Sequence, residues 1–319
     1  MSECGHRWAN PRVILVATDL SDLERMMPHA IEQASEVGAR LILLHVLAAS
    51  AAMGTDAAGM PYYDTVSVVE SAERILLDWS ERARLKGVVC EAVVRDGNPR
   101  EQVIAAMRQF DADRILMGTR SRSRLGKLLI GSVAEQVLRS VNIPVMTVGP
   151  EAHLPGEIGG HKRVVLHATS LRETSRPSAA LACSIAASQN AKLILLHVLP
   201  PLDEMQRRGL PTGIDSLAMH RLRELAEETG ARCCAAVEPI VIHGNPCIEI
   251  LSESVERHAS LLVLSATRRS AFENLTRDRI IYRVLAHARC PVLTLREPLE
   301  EPVEPESERA ASANAGTRE

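Results

Sequence analysis

The chain has 319 residues, a length that exceeds most single hydrophobic cores and predicts two domains of ordinary size. Its formal net charge of −3 at pH 7 excludes a globally basic protein, so any site for an anion has to be local. Hydrophobic residues make up 46% of the sequence and aromatic residues only 2%. This balance favours an aliphatic core of the kind found in parallel sheets covered by helices.

The N-terminal residues MSECGHRWANPR lack the apolar segment of a secretory signal. No run approaches the roughly 20 apolar residues that a membrane-spanning helix needs. The 7 cysteines are odd in number and form no Cys-x-x-Cys pair, which is typical of reduced thiols. We therefore expect a soluble, cytoplasmic protein with neither a membrane nor a nucleic acid as its partner.

In chain order, the first half alternates short apolar runs with stretches of helical period. The runs predicted to be strands are 13–17, 41–47, 88–94, 114–118 and 144–148. Ser21 and Glu24 have the spacing of a capping box for the first helix, and Pro99 suits the first turn of the third. Parallel neighbours need crossover helices, so five strands and about four helices predict an open, doubly wound α/β sheet. Ligands of such sheets bind at the carboxyl ends of the strands.

The second half repeats the first in the same order. VILVATDL from Val13 corresponds to VVLHATSL from Val164, and ARLILLHVL from Ala39 corresponds to AKLILLHVL from Ala191. Further matches join DGNP to HGNP, RILMGT to LLVLSAT, and NIPVMTV to RCPVLTL. The chain is therefore predicted to contain two tandem copies of one doubly wound domain.

The predicted boundaries follow from composition. Copy one is residues 1–150, a linker rich in Pro and Gly is 151–161, and copy two is 162–297. The acidic, Pro-rich residues 298–319 are expected to be disordered. The last strands of the copies, 145–148 and 292–295, are apolar sheet edges, so we expect them to pair the copies within the chain.

A loop with phosphate-binding chemistry follows the fourth strand of copy one, as GTRSRSRLGKLLIGS from Gly118 to Ser132. Gly131 and Ser132 begin a helix, whose N-terminal dipole favours anions, and four cationic side chains precede them in the loop: Arg120, Arg122, Arg124 and Lys127. The loop is not a Walker A motif, because Leu128 follows Lys127, and it is not a GxGxxG motif. The alternative interpretation is a solvated surface loop without a ligand.

The whole pattern resembles the universal stress protein family over residues 12–149 and 162–296. Nucleotide-binding members of that family carry Gly, two residues, Gly, nine residues, then Gly-Ser or Gly-Thr. The resemblance implies an adenine nucleotide α-hydrolase-like fold and a stress-response or regulatory module that binds ATP or AMP, with Mg²⁺ accompanying ATP as the one metal. The contact residues that it implies in copy one are Asp19, Val46, Gly118, Ser121, Gly131, Ser132 and Val133. Ser121 stands where the family has its middle glycine.

Copy two departs from this pattern. Ser170 corresponds to Asp19, Ala266 to Gly118, and Asp278-Arg279 to the Gly131-Ser132 pair. A carboxylate at the start of the last helix would repel phosphate, so nucleotide is expected in copy one alone. The resemblance makes copy two a structural or dimerising partner, within the chain or in a homodimer.

Two other functions remain open from the sequence. The chain could be a scaffold or the binder of another small molecule, without nucleotide, or it could be a weak ATPase. No Ser-His-Asp triad or pair of carboxylates is legible, so no catalytic residue is assigned. His45 and His197 recur at matching strand ends, which packing alone would produce. His243 and Cys247 have no recognised metal-ligand spacing.

Overall fold

The computed structural model describes residues 7–48, 53–55, 61–63, 65–119, 130–157, 162–207, 213–233, 236–266 and 274–296. The tail 298–319 and part of the linker therefore lie outside the described residues.

Copy one alternates strands and helices, as its sequence predicts. The strands are β1 (Val13–Thr18), β2 (Arg40–Leu47), β3 (Met53–Thr55), β4 (Pro61–Tyr63), β5 (Cys90–Asp96), β6 (Arg114–Gly118) and β7 (Val145–Val148). The helices are α1 (Leu23–Val37), α2 (Thr65–Leu85), α3 (Pro99–Gln109) and α4 (Ser132–Ser140). Strands β3 and β4 form a separate antiparallel pair that the apolar pattern did not predict.

Copy two repeats this order. Its strands are β8 (Val164–Ala168), β9 (Lys192–Leu199), β10 (Val237–His243), β11 (Leu261–Ala266) and β12 (Val292–Arg296). Its helices are α5 (Arg176–Ser188), α6 (Leu202–Arg207), α7 (Ile214–Cys233), α8 (Pro246–Glu256) and α9 (Asn274–His287), with a short 3-10 turn at Glu173–Ser175 before α5. Within the described ranges, no helix is both long and apolar enough to span a membrane.

The two copies share one 10-stranded sheet in the order β10-β9-β8-β11-β12-β7-β6-β1-β2-β5. Neighbouring strands within each copy are parallel, as in β1 with β2 and β8 with β9. The doubly wound α/β prediction is confirmed in both copies. The strands are apolar on both sides because helices cover both faces of the sheet.

Two apolar layers, one on each face of the sheet, follow from the alternation of side chains along each strand. Ile14 and Val16 of β1 pack into one layer with α1, α2, α5 and α7. Leu15 and Ala17 pack into the other layer with α3, α4, α8 and α9. Each layer contains buried residues of both copies, so the halves of the chain have a continuous core.

The seam between the copies is the pairing that the apolar edges predict. Strand β12 pairs antiparallel with β7, with Leu293 opposite Met146, and both side chains are fully buried. The Thr147 hydroxyl donates a hydrogen bond of 3.3 Å to the Val292 carbonyl. On one side of the seam, Arg139 of α4 donates to the Tyr282 hydroxyl of α9 over 2.8 Å. The copies therefore form an intrachain pseudo-dimer.

Helix starts show one confirmed and one wrong prediction. The Asn98 side chain accepts the Glu101 N–H over 3.3 Å, and Pro99 occupies the first turn of α3, as predicted. The capping box of Ser21 and Glu24 is wrong, since α1 has Asp22 at its N-cap. The N–H and hydroxyl of Ser21 both donate to Asp19 Oδ1, at 2.9 and 2.6 Å, so that hydroxyl is engaged by a turn.

Candidate functional site

The carboxyl ends of three adjacent strands in copy one bring most of the expected contact residues to one edge. Strand β1 lies between β6 and β2, and Thr18 at its end is in register with His45 of β2. Asp19 follows β1, Val46 lies at the end of β2, and Gly118 ends β6. These positions share the sheet edge at which doubly wound proteins bind ligands.

The turn after β1 presents a carboxylate to solvent. Asp19 is exposed and accepts both hydrogen bonds from Ser21. Leu20 has a φ of 72°, which L-residues rarely adopt, and its N–H donates to the Thr18 hydroxyl over 2.9 Å. The turn is thus held by its own hydrogen bonds, and Asp19 keeps a fixed place beside the strand ends.

The recurring histidines hold the strand ends together. His45 Nδ1 lies 2.9 Å from the Thr18 carbonyl, and His197 Nδ1 lies 2.8 Å from the matching Thr169 carbonyl. A carbonyl only accepts, so Nδ1 carries a proton in both rings. Burial lowers the pKa of His197 below its ordinary value, which keeps that imidazole neutral.

The start of α4 is open to an anion. Gly131 is its N-cap with φ −61° and ψ 141°, and no side chain among the described residues caps the helix. The Gly131 N–H donates to the Thr119 carbonyl over 3.1 Å, which anchors the helix start to the end of β6. Ser132 is exposed and Val133 is half-buried. The first N–H groups of a helix lack intrahelical acceptors and carry a partial positive charge.

Asp22 is a site residue that sequence reasoning missed. A Cβ on Gly118 would lie 1.5 Å from Asp22 Oδ2, so the carboxylate fills the space beside that glycine. The Thr18 hydroxyl donates to Asp22 Oδ1 over 3.3 Å. An acidic residue at a helix start indicates only a cap, and nothing in the local pattern signals contact with β6. Gly118 therefore accommodates an internal carboxylate as well as any ligand.

Residues 120–129 lie outside the described residues. The positions of Ser121 and of the four cationic side chains in that loop, Arg120, Arg122, Arg124 and Lys127, are therefore not described.

The matching edge of copy two has the same turn with different chemistry. Leu171 has a φ of 58° and its N–H donates to the Thr169 hydroxyl over 3.1 Å. The Ser170 hydroxyl, in the place of the Asp19 carboxylate, lies 3.0 Å from the Ser175 hydroxyl. Copy two keeps the geometry of the turn and loses its charge.

The prediction that a carboxylate lies at the start of the last helix of copy two is wrong. Helix α9 begins at Asn274, so Asp278 lies beyond the first turn rather than at the N-terminus. In copy one, Gly131 with its extended backbone marks the boundary of α4. No glycine interrupts residues 274–287 of copy two, so the helix continues through the corresponding position.

Known proteins resemble this chain in sequence and in architecture. The sequence model of the universal stress protein family matches residues 11–149 and 162–296. A universal stress protein of Thermus aquaticus is 32% identical over 141 residues, which cover 43% of this chain and 98% of that protein. One from Methanocaldococcus jannaschii is 29% identical over 136 residues, covering 42% of this chain and 80% of that protein.

A solved structure extends the likeness to the whole tandem arrangement. The crystal structure of a universal stress protein from Archaeoglobus fulgidus superposes with a TM-score of 0.70 at 20% identity. The match covers 92% of this chain and 99% of that one, so the likeness of fold includes both copies. With both halves matched by the family's sequence model, the chain belongs to the universal stress protein family.

Proposed function

We propose that this protein is a regulatory module of the stress response whose copy one binds ATP or a related adenine nucleotide. The observation that carries the proposal is the start of α4, which no described side chain caps and which directs N–H groups to the sheet edge where β1 and β6 end. A helix N-terminus in this position is suited to a phosphate group. Copy two acts as the structural partner that completes the shared sheet.

Each part of a nucleotide has a chemical counterpart at this edge. The N–H groups of Ser132 and Val133 and the Ser132 hydroxyl are donors for phosphate oxygens. The exposed Asp19 carboxylate is an acceptor for ribose hydroxyls, and half-buried Val46 offers an apolar contact for the base. Gly118 and Gly131 add no side chain of their own beside the phosphates.

The Asp22 carboxylate sets a condition on binding. Because it occupies the space beside Gly118, a phosphate entering there meets a like charge. Asp19 and Asp22 also supply the oxygen donors that Mg²⁺ prefers, so a Mg²⁺ ion that arrives with ATP fits this edge. The ion would offset the charge of both carboxylates and phosphates.

Calorimetric titration of the full chain with ATP and Mg²⁺ tests the proposal. We expect one site per chain, because only copy one combines the carboxylate turn with a helix that starts at Gly131. Mass spectrometry of the denatured protein directly after purification should also detect AMP or ATP. Two equivalent sites, or no binding together with no copurified nucleotide, would contradict the proposal. Phosphate release measured in the same samples distinguishes a binding module from a weak ATPase.

A further inference from the structure

Copy two contains a cavity at the carboxyl ends of its own strands, which we call the copy-two cleft. Its volume is about 230 Å³, and strands β8, β9 and β11 form its floor while α8 and α9 form its walls. The walls are aliphatic, with Ile250 from α8 and Ile281 and Val284 from α9. Among the described residues that line the cleft there is no Asp, Glu, Lys or Arg.

Four polar residues line this apolar space, Thr169, Ser170, His197 and Ser265, and the hydroxyls of the first two are engaged in the turn after β8. His197 lines the cleft, and its Nδ1 is engaged by the Thr169 carbonyl at 2.8 Å, which leaves Nε2 as the acceptor available to a ligand. Ser265, at the end of β11, is half-buried and adds a hydroxyl to the lining. An apolar cavity with a few convergent polar groups is the usual form of a small-molecule site.

The same cleft is unsuited to a phosphate. Ser170 replaces the carboxylate of the copy-one turn. The predicted match of Ala266 with Gly118 is wrong by one residue, because Gly118 lies opposite Val148 in the sheet and Ser265 lies opposite the matching Leu295. Ser265 therefore puts a side chain where copy one has a glycine. Helix α9 begins at Asn274 and does not open at the position of Gly131. An anion would be desolvated there with no compensating charge among the described lining residues, which is costly.

We propose that the copy-two cleft binds a small, uncharged ligand of one or two rings that carries an N–H or O–H donor for His197 Nε2. Size supports this class, since an apolar cavity of about 150 Å³ holds benzene and a cavity of about 230 Å³ accommodates a fused pair of rings. The proposal goes beyond nucleotide binding and does not depend on it, because the two ligands occupy different copies.

Fluorescence titration of the full chain with 2-naphthol tests the proposal, since this probe is neutral at pH 7 and has one O–H donor. We expect saturable binding of one probe per chain that persists when ATP is present in excess. Naphthalene-2-sulfonate has the same rings with a fixed negative charge, and we expect it to bind at least tenfold more weakly because the described lining holds no cation. Absence of saturable 2-naphthol binding, or its displacement by ATP, would overturn the proposal.

Two variants locate the probe. His197→Phe keeps the ring and removes the acceptor, so 2-naphthol affinity should fall by about tenfold or somewhat less. His45→Phe makes the matched change in copy one and should leave 2-naphthol affinity unchanged. Ser265→Asp introduces a carboxylate into the cleft and should reduce affinity by about tenfold or more. Wild-type affinity in both copy-two variants, with thermal melts confirming that each is folded, would show that the probe binds elsewhere and overturn the assignment.

Discussion

The two copies keep the same turn after the first strand while the chemistry around that turn differs. In each copy a threonine hydroxyl accepts the N–H of a leucine with positive φ, and a histidine binds the threonine carbonyl. Around this shared frame, copy one has Asp19 and a helix start that no described side chain caps, and copy two has Ser170 and a cleft whose described lining carries no charge. The repeated residues hold the strand ends, and the residues that differ change the charge at each edge.

The opposite edge of the sheet differs as well. Copy one buries Asp113, whose Oδ2 accepts the N–H groups of Arg12 and Val13 at 2.8 and 3.2 Å. The adjacent Arg114 is 2% exposed, and burial lowers its pKa to about 10. Copy two has Ser260 and Leu261 in these positions, since Asp113 and Ser260 donate their N–H groups to the matching carbonyls of Val13 and Val164. The Ser260 hydroxyl donates to the Val164 carbonyl over 3.0 Å. A serine and a leucine thus replace the charged pair, which shows that the fold itself does not require the charges.

The largest effect is expected at the seam between β7 and β12, where the two copies share one apolar core. Leu293→Ala removes a fully buried side chain at the seam and should cost about 2–5 kcal/mol of unfolding free energy. Because the apolar layer on that face contains residues of both copies, we expect the wild type and the variant each to unfold in one thermal transition, at a lower temperature in the variant. Calorimetry checks this, with Leu217→Ala, 50% exposed on α7, as a control that should change stability by less than about 0.5 kcal/mol. Two transitions, only one of which moves, would show that the copies melt independently.

The second largest effect is expected from a double substitution that gives copy one the residue pair found in copy two. Gly131→Asp combined with Ser132→Arg should weaken ATP binding by roughly tenfold to a thousandfold. The new carboxylate would accept hydrogen bonds from the N–H groups that are proposed to bind phosphate, and it would repel the phosphate. The melting temperature should stay equal or rise slightly, since Asp is a good N-cap. Titration and melts measure the two quantities.

The reverse exchange is the matched control. Asp278→Gly with Arg279→Ser should create no second ATP site, because α9 begins at Asn274 rather than at that pair. Equal ATP affinity in wild type and in the copy-one double variant would show that the start of α4 does not bind phosphate.

A third difference between the copies predicts a pH dependence. His29 of α1 is 5% exposed, and burial lowers its pKa from 6.5 to about 4. Above pH 6.5 the ring is neutral in both folded and unfolded chains. Between pH 6.5 and about 4 the unfolded chain takes up a proton that the folded chain excludes. The unfolding free energy should therefore fall as the pH falls, by about 3 kcal/mol in total.

Leu181, in the corresponding buried position of α5, supplies the comparison variant, because Ala34 and Ala186 accept matching hydrogen bonds at the ends of the two helices. His29→Leu should lose this pH dependence while keeping the stability measured above pH 6.5 within about 1.5 kcal/mol of wild type. Urea unfolding across this pH range measures both. An unchanged slope in the variant would assign the pH dependence to other groups.

The smallest effect tests the contact between Asp22 and Gly118. Gly118→Ala places a Cβ 1.5 Å from Asp22 Oδ2 and should cost about 1 kcal/mol as the carboxylate moves away. In an Asp22→Ala background the same substitution should cost almost nothing, so a double-mutant cycle measures the coupling by urea unfolding. Additive effects of the two substitutions would mean that the carboxylate does not occupy this space in solution.

Much of the fold was predictable because its signals are local or repeated. The apolar runs predict β1, β2, β5, β6 and β7 to within about two residues, and Asn98-Pro99 marks the start of α3. The wrong capping box arose because one side chain had two possible partners. Ser21 could cap α1 or bond Asp19, and the turn with positive φ at Leu20 placed it on Asp19.

The sequence by itself determined the tandem repeat, the parallel order within each copy, and which copy carries Asp19, Gly118 and Gly131. These properties follow from the period of apolar residues and from residue identity, which need no knowledge of distant contacts. Only the tertiary structure placed Asp22 against Gly118, started α9 at Asn274, and formed a cleft in copy two whose described lining carries no charge. Each of these depends on packing between elements that are far apart in the chain, and no local pattern records the distance between them.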